Sequence, residues 1–319
     1  VKLISPVDHP GEAQDLLEAG ADELYGGFLS EAWRSRFGSL VSSNQRSFEA
    51  AQIPSEEEFV EIVRLVRAAG KGFALTLNAP FYSAEQIPLI LAQVERAAKA
   101  GIHGVILADP GLLLELKTRF PHLDYQASTL ARLSSSASVR FFRRQGMTRA
   151  ILPRHLSVEE MGDIIADCPD LLFDAFLLVG KCPNSEGLCS FSHDSLDRIW
   201  PCEIPYRIEA ASSEPSGALK AAMERQGSWS RTNRRHGCGL CAVPELLEAG
   251  VTGLKLVGRG APGAQKIRNL KLASDFLALA GQDLPPEVYR ERARSAHRAR
   301  FGAACSANVC YYPEFYRGE

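Results

Sequence analysis

The 319-residue sequence predicts an α/β fold of the (β/α)8, TIM-like barrel class, and three observations carry that expectation. First, one unit recurs: a helical stretch ends in a small residue plus Gly, and a short apolar strand follows. It reads EAGADELYGG (18–27), AAGKGFALTLN (68–78), AGIHGVILAD (100–109), RQGMTRAILPR (144–154) and EAGVTGLKLVGR (248–259). Gly suits a helix C-terminus because it enters the left-handed conformation cheaply. Second, filling the gaps gives eight candidate strands, at 2–6, 23–27, 72–78, 104–109, 123–129, 149–154, 172–180 and 253–258. Their near-continuous apolar runs suit a parallel sheet buried on both faces. Third, eight alternations in this length favour a closed barrel over an open sheet, and no GxGxxG follows the first strand.

Amphipathic helices are expected at 12–19, 55–69, 84–100 and 157–166. Ser157 with Glu160 three residues on reads as a capping box. Residues 1–280 form the expected barrel, including a cysteine-rich insertion at 181–247, and 281–319 form a C-terminal extension. Two long connections, 28–54 and 181–247, follow strand C-termini, the end at which barrels of this class build active sites.

Composition is that of an ordinary globular chain, 45% hydrophobic and 23% charged, and the formal charge of −2 gives no general attraction to polyanions. No window reaches the ~18 apolar residues of a membrane helix. The first residues lack a basic segment leading into an apolar run, so the reducing cytosol is the expected compartment. Eight cysteines then need an explanation other than disulfides. None precedes Cys168, which is expected to be a buried small hydrophobe. The main group reads Cys182-x6-Cys189-x12-Cys202-x35-Cys238-x2-Cys241. Thiolates suit an iron–sulfur cluster or zinc, and the spacing alone leaves both open. Cys238 and Cys241 alone also fit a redox pair or half of a zinc knuckle. Cys305-x4-Cys310 can join the same centre, bind a second metal or stay unligated.

Polar residues expected at the barrel mouth are Glu23, Tyr25, Asn78, Asp109, Gln126, Ser128, Thr129, Arg154, Lys181 and Arg259. Arg154 and Arg259 suit a carboxylate-bearing substrate. Asn78 and Gln126 can orient neutral oxygens, and Asp109 or Glu23 can move protons. Asp109, Arg154 and Asn78 are the expected catalytic set, and Glu23, Tyr25, Gln126, Ser128 and Arg259 the expected substrate contacts. His155, His193 and His236 are read as surface or hydrogen-bonded residues, with His236 a low-weight substitute for a thiolate ligand.

The ordered segments AGADELYGG, TLNAPFYS, GVILADPGLL, FPHLDYQAST, RAILPRHLSVEEM, VGKCPNSEGLC and PELLEAGVTGLKLVGR make the chain similar to peptidase family U-thirty-two, the collagenase-like peptidases. The likeness is strongest to the oxygen-independent hydroxylases of that family. It implies a TIM-like barrel and a [4Fe–4S] cluster on Cys182, Cys189, Cys202 and Cys238, with Cys241 the runner-up for the fourth place. It also implies an oxygen atom taken from an organic donor, prephenate, instead of O2. The family's Lys-Ile-Glu-Gly-Arg is here Lys255-Leu256-Val257-Gly258-Arg259, so an acid is missing at the mouth. The expected partners are a small-molecule substrate or oxygen donor and an electron-transfer or protein partner. RNA contact through 231–235 or 290–300 is weighed and set below a solvated surface. Two alternatives stand beside the hydroxylase. One is a collagenase-like peptidase, although no HExxH or GxSxG motif is present. The other is a non-catalytic cluster or zinc protein that binds RNA or another protein.

Overall fold

The computed structural model describes residues 1–38, 42–46, 48–182, 186–187, 207, 209–229 and 232–316. Eight parallel strands close in sequence order: β1 (Lys2–Pro6), β2 (Glu23–Gly26), β3 (Gly72–Leu77), β4 (Gly104–Leu107), β5 (Asp124–Ala127), β6 (Arg149–Ile151), β7 (Leu172–Leu178) and β8 (Gly253–Leu256). Ile4 pairs with Glu23 on one side and Lys255 on the other, which closes the cylinder. The eight strand positions match the sequence expectation. Their ends are shorter where a capping side chain takes over, as at Ser128, whose hydroxyl accepts from Leu130 N.

The wall helices follow from the repeat unit. Gly20, Gly70, Gly101, Gly146 and Gly250, the five glycines of the repeat, all take positive φ. These are the points where each helix turns back toward the next strand. Helix α3 (Glu56–Ala68) begins at Ser55, whose hydroxyl accepts from Glu58 N, and buries Phe59, Ile62, Val63 and Val66. Phe59 packs between Phe28 and Phe73, with ring centroids 4.7 and 5.4 Å away. Each such side chain contributes about 1.5–3 kcal/mol by leaving water. Helix α7 (Val158–Ala166) carries the expected capping box: Ser157 accepts from Glu160 N, and Glu160 accepts from Ser157 N. Cys168 is fully buried. Helix α10 (Gly263–Ala280) lies against β1 and α1 (Pro10–Glu18), and α11 (Pro286–Phe301) packs on the 240–242 turn.

Past its last barrel residues, β7 gains a second set of partners. Residues 177–179 pair antiparallel with 237–239, through Val179 N to Gly237 O (2.7 Å) and Gly239 N to Leu177 O (2.8 Å). The 309–311 segment then joins in parallel, with Cys238 opposite Cys310. Val179 takes a φ of 57° at this point, and the β7–β8 register shifts between Phe176 and Leu178. The tail is thereby returned to the barrel mouth, where the Tyr311 hydroxyl donates to Val179 O and the Tyr312 hydroxyl to Phe176 O. Among the described residues no helix is long and apolar enough to cross a membrane.

Candidate active site at the barrel mouth

The barrel interior holds two charged layers. The lower one corrects the expected placement of Glu23 and Gln126. Glu23 is the first residue of β2, so its side chain enters the N-terminal end of the cylinder and not the mouth. It accepts from Arg149 Nη1 at 2.8 Å and Gln126 Nε2 at 3.0 Å, and lies 3.2 Å from His103 Nε2. Burial opposes its ionisation, but His103 and Arg149 outweigh burial and hold its carboxyl well below the usual range. Asp174 lies 3.7 Å from Arg149, and burial pushes its carboxyl up to about 6 against the pull of that guanidinium. Arg149 and Gln126 thus satisfy the Glu23 carboxylate inside the lower barrel, while Gln126 Oε1, His103 Nδ1 and Asp174 Oδ2 have no hydrogen-bond partner among the described residues.

Above them the arrangement is different. Lys255 Nζ sits 3.5 Å from the centre of the Tyr25 ring and has no hydrogen-bond acceptor among the described residues. Burial brings its amine down to about 8. The Tyr25 hydroxyl donates to Leu256 O at 2.8 Å, and burial raises its pKa to about 12. Arg259 gives one guanidinium nitrogen to Asn44 O, while Nη1 is buried without a partner among the described residues. Burial and the neighbouring Arg46 charge lower its pKa to about 9. Arg154 is held by Glu186, whose carboxylate also accepts from Arg154 N at 2.7 Å. The Arg154 guanidinium stacks 3.8 Å above the Phe176 ring and its Nε has no partner among the described residues. Asn78 Oδ1 is likewise buried without a donor among the described residues. Arg46 is half-buried, close enough to act on Arg259 by its charge, and itself feels Arg234 and Arg154.

This mouth is held by its neighbours. Asn44 is fixed by paired amides with Gln52, at 2.7 and 3.0 Å. Gly27 leaves the space that Asn44 fills, since a Cβ there would collide with its side-chain nitrogen and approach Thr76 O. Asp8 accepts from Gly260 N at 2.7 Å and from Lys266, which fixes the loop carrying Arg259. Arg46, Asp8, Lys255, Lys266 and Tyr311 were not among the sequence-predicted site residues. The two that had a signal were Lys255, within the strand 8 motif, and Tyr311, in the aromatic doublet after Cys310.

The remaining expected residues divide. Tyr25, Asn78, Arg154 and Arg259 come together. Asp109 and Ser128 do not join them as reactive groups. Asp109 is the N-cap of α5 (Pro110–Arg119), accepting from Gly111 N at 2.7 Å and from Tyr82 N at 3.0 Å. Those amide donors satisfy the carboxylate and leave it poorly placed for proton transfer. Ser128 caps the turn at 129–131, and Thr129 is buried within that turn. His155 accepts from Glu186 N at Nδ1 (3.3 Å), so its neutral ring carries the proton on Nε2 and directs it at Ser134 Oγ (3.2 Å). That tautomer cannot take a proton from the serine, which removes the described histidine–serine contact as a nucleophile–base pair.

Of the four cysteines implied as cluster ligands, Cys189 and Cys202 lie outside the described residues, as does His193. Cys182 is at the mouth, near Arg154 and near Lys181, whose amine burial lowers. Cys238 instead has Cys241 and Cys305 as its charged neighbours. His236 stacks on Phe301 with centroids 5.0 Å apart, a packing role. Among the described residues no group of three or more His, Cys, Asp or Glu is already arranged to hold a metal ion.

The fold and the mouth define a class: a (β/α)8 barrel whose C-terminal end carries buried cationic donors, some of them without partners among the described residues. Comparison with known proteins narrows it. The chain belongs to peptidase family U32, whose sequence model matches residues 9–305. It is 27% identical over 191 residues to tRNA hydroxylation protein P of Escherichia coli K12, covering 60% of this chain and 39% of that protein. It is 25% identical over 288 residues to the protein of the same name from Helicobacter pylori J99, covering 86% and 64%. The chain thus spans less than two thirds of the length of these relatives. The solved U32 peptidase Mk0906 superposes with a TM-score of 0.52 at 14% identity, over 82% of this chain and 94% of that one, a likeness of fold.

Proposed function

We propose that this protein is an oxygen-independent hydroxylase acting on tRNA, taking its oxygen atom from a small carboxylate-bearing donor such as prephenate and using an iron–sulfur cluster. The observation that carries the reading is the gathering of Arg46, Arg154 and Arg259 at the mouth, with buried N–H donors left over on the last two. Buried cations without acceptors are costly, and a bound carboxylate offsets that cost through charge-assisted hydrogen bonds. Family membership and the names of the relatives supply the reaction type and the RNA. The net charge of −2 had argued against RNA, but a chain-wide sum says little about a local cationic mouth.

Arg154 and Arg259 bind and orient the donor's carboxylates. Phe176 and Tyr311 flank Arg154 and keep bulk water from its face. Asn78 Oδ1 accepts a hydrogen bond from a donor hydroxyl. Lys255, brought down toward neutrality, holds or releases a proton beneath the bound molecule. When bound, the cluster supplies electron transfer; Cys182, with Cys189 and Cys202, would hold it, and the family likeness adds Cys238 as the fourth thiolate.

The test is anaerobic. The chain is purified without oxygen, its iron and sulfide are quantified, and it is incubated with unmodified tRNA and prephenate. Gain of one oxygen in a tRNA nucleoside, read by mass spectrometry and traced to labelled donor, is the expected result. Label arriving from water or O2, or no gain with iron fully loaded, sinks the proposal.

A further inference from the structure

We propose that Arg235, Arg268 and Arg300 form a docking face for the phosphate backbone of the tRNA, set against the rim of the barrel mouth. The inference rests on the RNA substrate proposed above and adds to it the surface that carries the RNA.

Charge is segregated along the chain more sharply than its net value of −2 conveys. Three stretches, 225–244, 249–274 and 292–313, contain no Asp or Glu, although the whole chain has 38 of them. Each of the three carries four or five Lys or Arg. Singly, such a stretch reads as solvated surface; the fold unites them. Cys238 N donates to Val309 O (2.9 Å) and Tyr311 N to Cys238 O (2.8 Å), which joins the first stretch to the third. Asn308 Nδ2 adds bonds to Ser228 Oγ (2.7 Å) and Thr232 Oγ1 (2.9 Å). The His297 ring donates from Nε2 to His236 O (3.0 Å), and the His236 ring stacks on Phe301. Arg300 ties in the second stretch, its Nε donating across from α11 to Asn269 Oδ1 on α10 at 2.8 Å.

The three arginines therefore set out from adjoining backbone. Arg235 precedes His236, Arg300 precedes the Phe301 on which His236 stacks, and Arg268 precedes the Asn269 that Arg300 holds. Arg235 and Arg268 are exposed and Arg300 is half-buried. The Arg300 guanidinium carbon lies 5.1 Å from the centre of the Phe301 ring, which limits its freedom. Burial lowers the Arg300 pKa, and the Arg268 charge lowers it further. Like charges gathered on a surface repel one another, and a polyanion relieves that repulsion. Phosphate contacts fix the register and orientation of a nucleic acid without reading its sequence. The face is joined to the mouth: Lys181 N donates to Arg234 O (3.1 Å), so the turn carrying Arg235 is bonded to the chain leaving β7. A backbone held there lies beside the site that modifies one of its nucleotides.

Binding of an unmodified tRNA to the full chain is measured across a salt series. Arg235→Gln, Arg268→Gln, Arg300→Gln and their combination are compared with Arg119→Gln, an exposed control at the far end of α5. Each face substitution should lower the slope of log affinity against log salt by about one. The triple variant should bind on the order of tenfold or more weakly, with the control unchanged. Should the triple variant not fold, the slopes of the three single variants decide. Slopes unchanged in all three, or an equal loss in the control, overturn the face and leave the RNA substrate standing. Retention on phosphatidylglycerol vesicles that the face substitutions abolish, with tRNA binding unaffected, assigns the face to a membrane surface and overturns it too. Absence of tRNA binding by the unaltered chain sinks the RNA substrate itself, and the face with it.

Discussion

The two ends of the barrel interior use the same residue types to opposite ends. In the lower layer Arg149 meets Glu23 and lies near Asp174, and His103 and Gln126 complete Glu23. At the mouth Arg259, Arg154 and Lys255 are as deeply buried or nearly so, yet each keeps a nitrogen without an acceptor among the described residues. The lower charges face one another across the barrel, although Gln126 Oε1, His103 Nδ1 and Asp174 Oδ2 have no hydrogen-bond partner among the described residues. At the mouth the atoms left over are the N–H donors of cations. Position on a strand does not separate the two layers; the pairing of opposite charges does.

The largest test of this contrast removes Arg149. Arg149→Met leaves Glu23 buried without its arginine partner and should cost about 3–5 kcal/mol in urea unfolding. A loss under about 1 kcal/mol would break the claim that the lower layer is structural. Arg259→Gln should do the reverse. Donor affinity should fall by about 1.5–3 kcal/mol, the worth of a hydrogen bond to a charged group, while the unfolding midpoint holds or rises. Equal destabilisation by both substitutions would erase the distinction between the layers.

A third test sharpens the lower layer through pH. The Asp174 carboxyl stands at about 6 in the fold against 3.8 outside it, burial being the main cause. Between those values the folded chain holds a proton that the unfolded chain has released. The contribution is therefore full below about pH 4 and is lost as pH rises to 6. Asp174→Asn should flatten that fall by on the order of 1–3 kcal/mol. Glu23 works the other way: its depressed carboxyl contributes above pH 4.5 and is lost only in stronger acid. An unchanged pH profile in Asp174→Asn would count against the coupling. The smallest effect sets the scale outside both layers. Ser157→Ala removes one arm of the α7 capping box and should cost about 1 kcal/mol with donor binding unaltered.

Much of the fold was legible because it is local. The Gly that ends each helix, the apolar run that follows and the Ser157–Glu160 box each speak for their own few residues, and all stand where expected. Glu23 and Tyr25 show where legibility stops. They are two positions apart on one strand and face the same interior, yet one is bound to Arg149, 126 residues away, and the other lines the mouth. Nothing in either neighbourhood announces the distant partner. Asp109 misled for a related reason: an acid at the end of a strand reads the same whether it moves protons or starts the next helix. Arg46 lay in a long connection with no periodicity to place it, and only the Arg259–Asn44 contact reveals that this loop folds over the mouth.

Val179 carries a last consequence. A branched side chain at a φ of 57° stores on the order of 1–3 kcal/mol of backbone strain. It persists because Gly237 and Tyr311 grip its amide and carbonyl from both sides. A glycine in its place would relax the bend and raise the melting temperature. It would also let the chain leave β7 in several directions, so that Lys181 and Cys182 no longer set out from one fixed point. Tolerance to heat and sharpness of the barrel's rim would then pull against each other at a single residue.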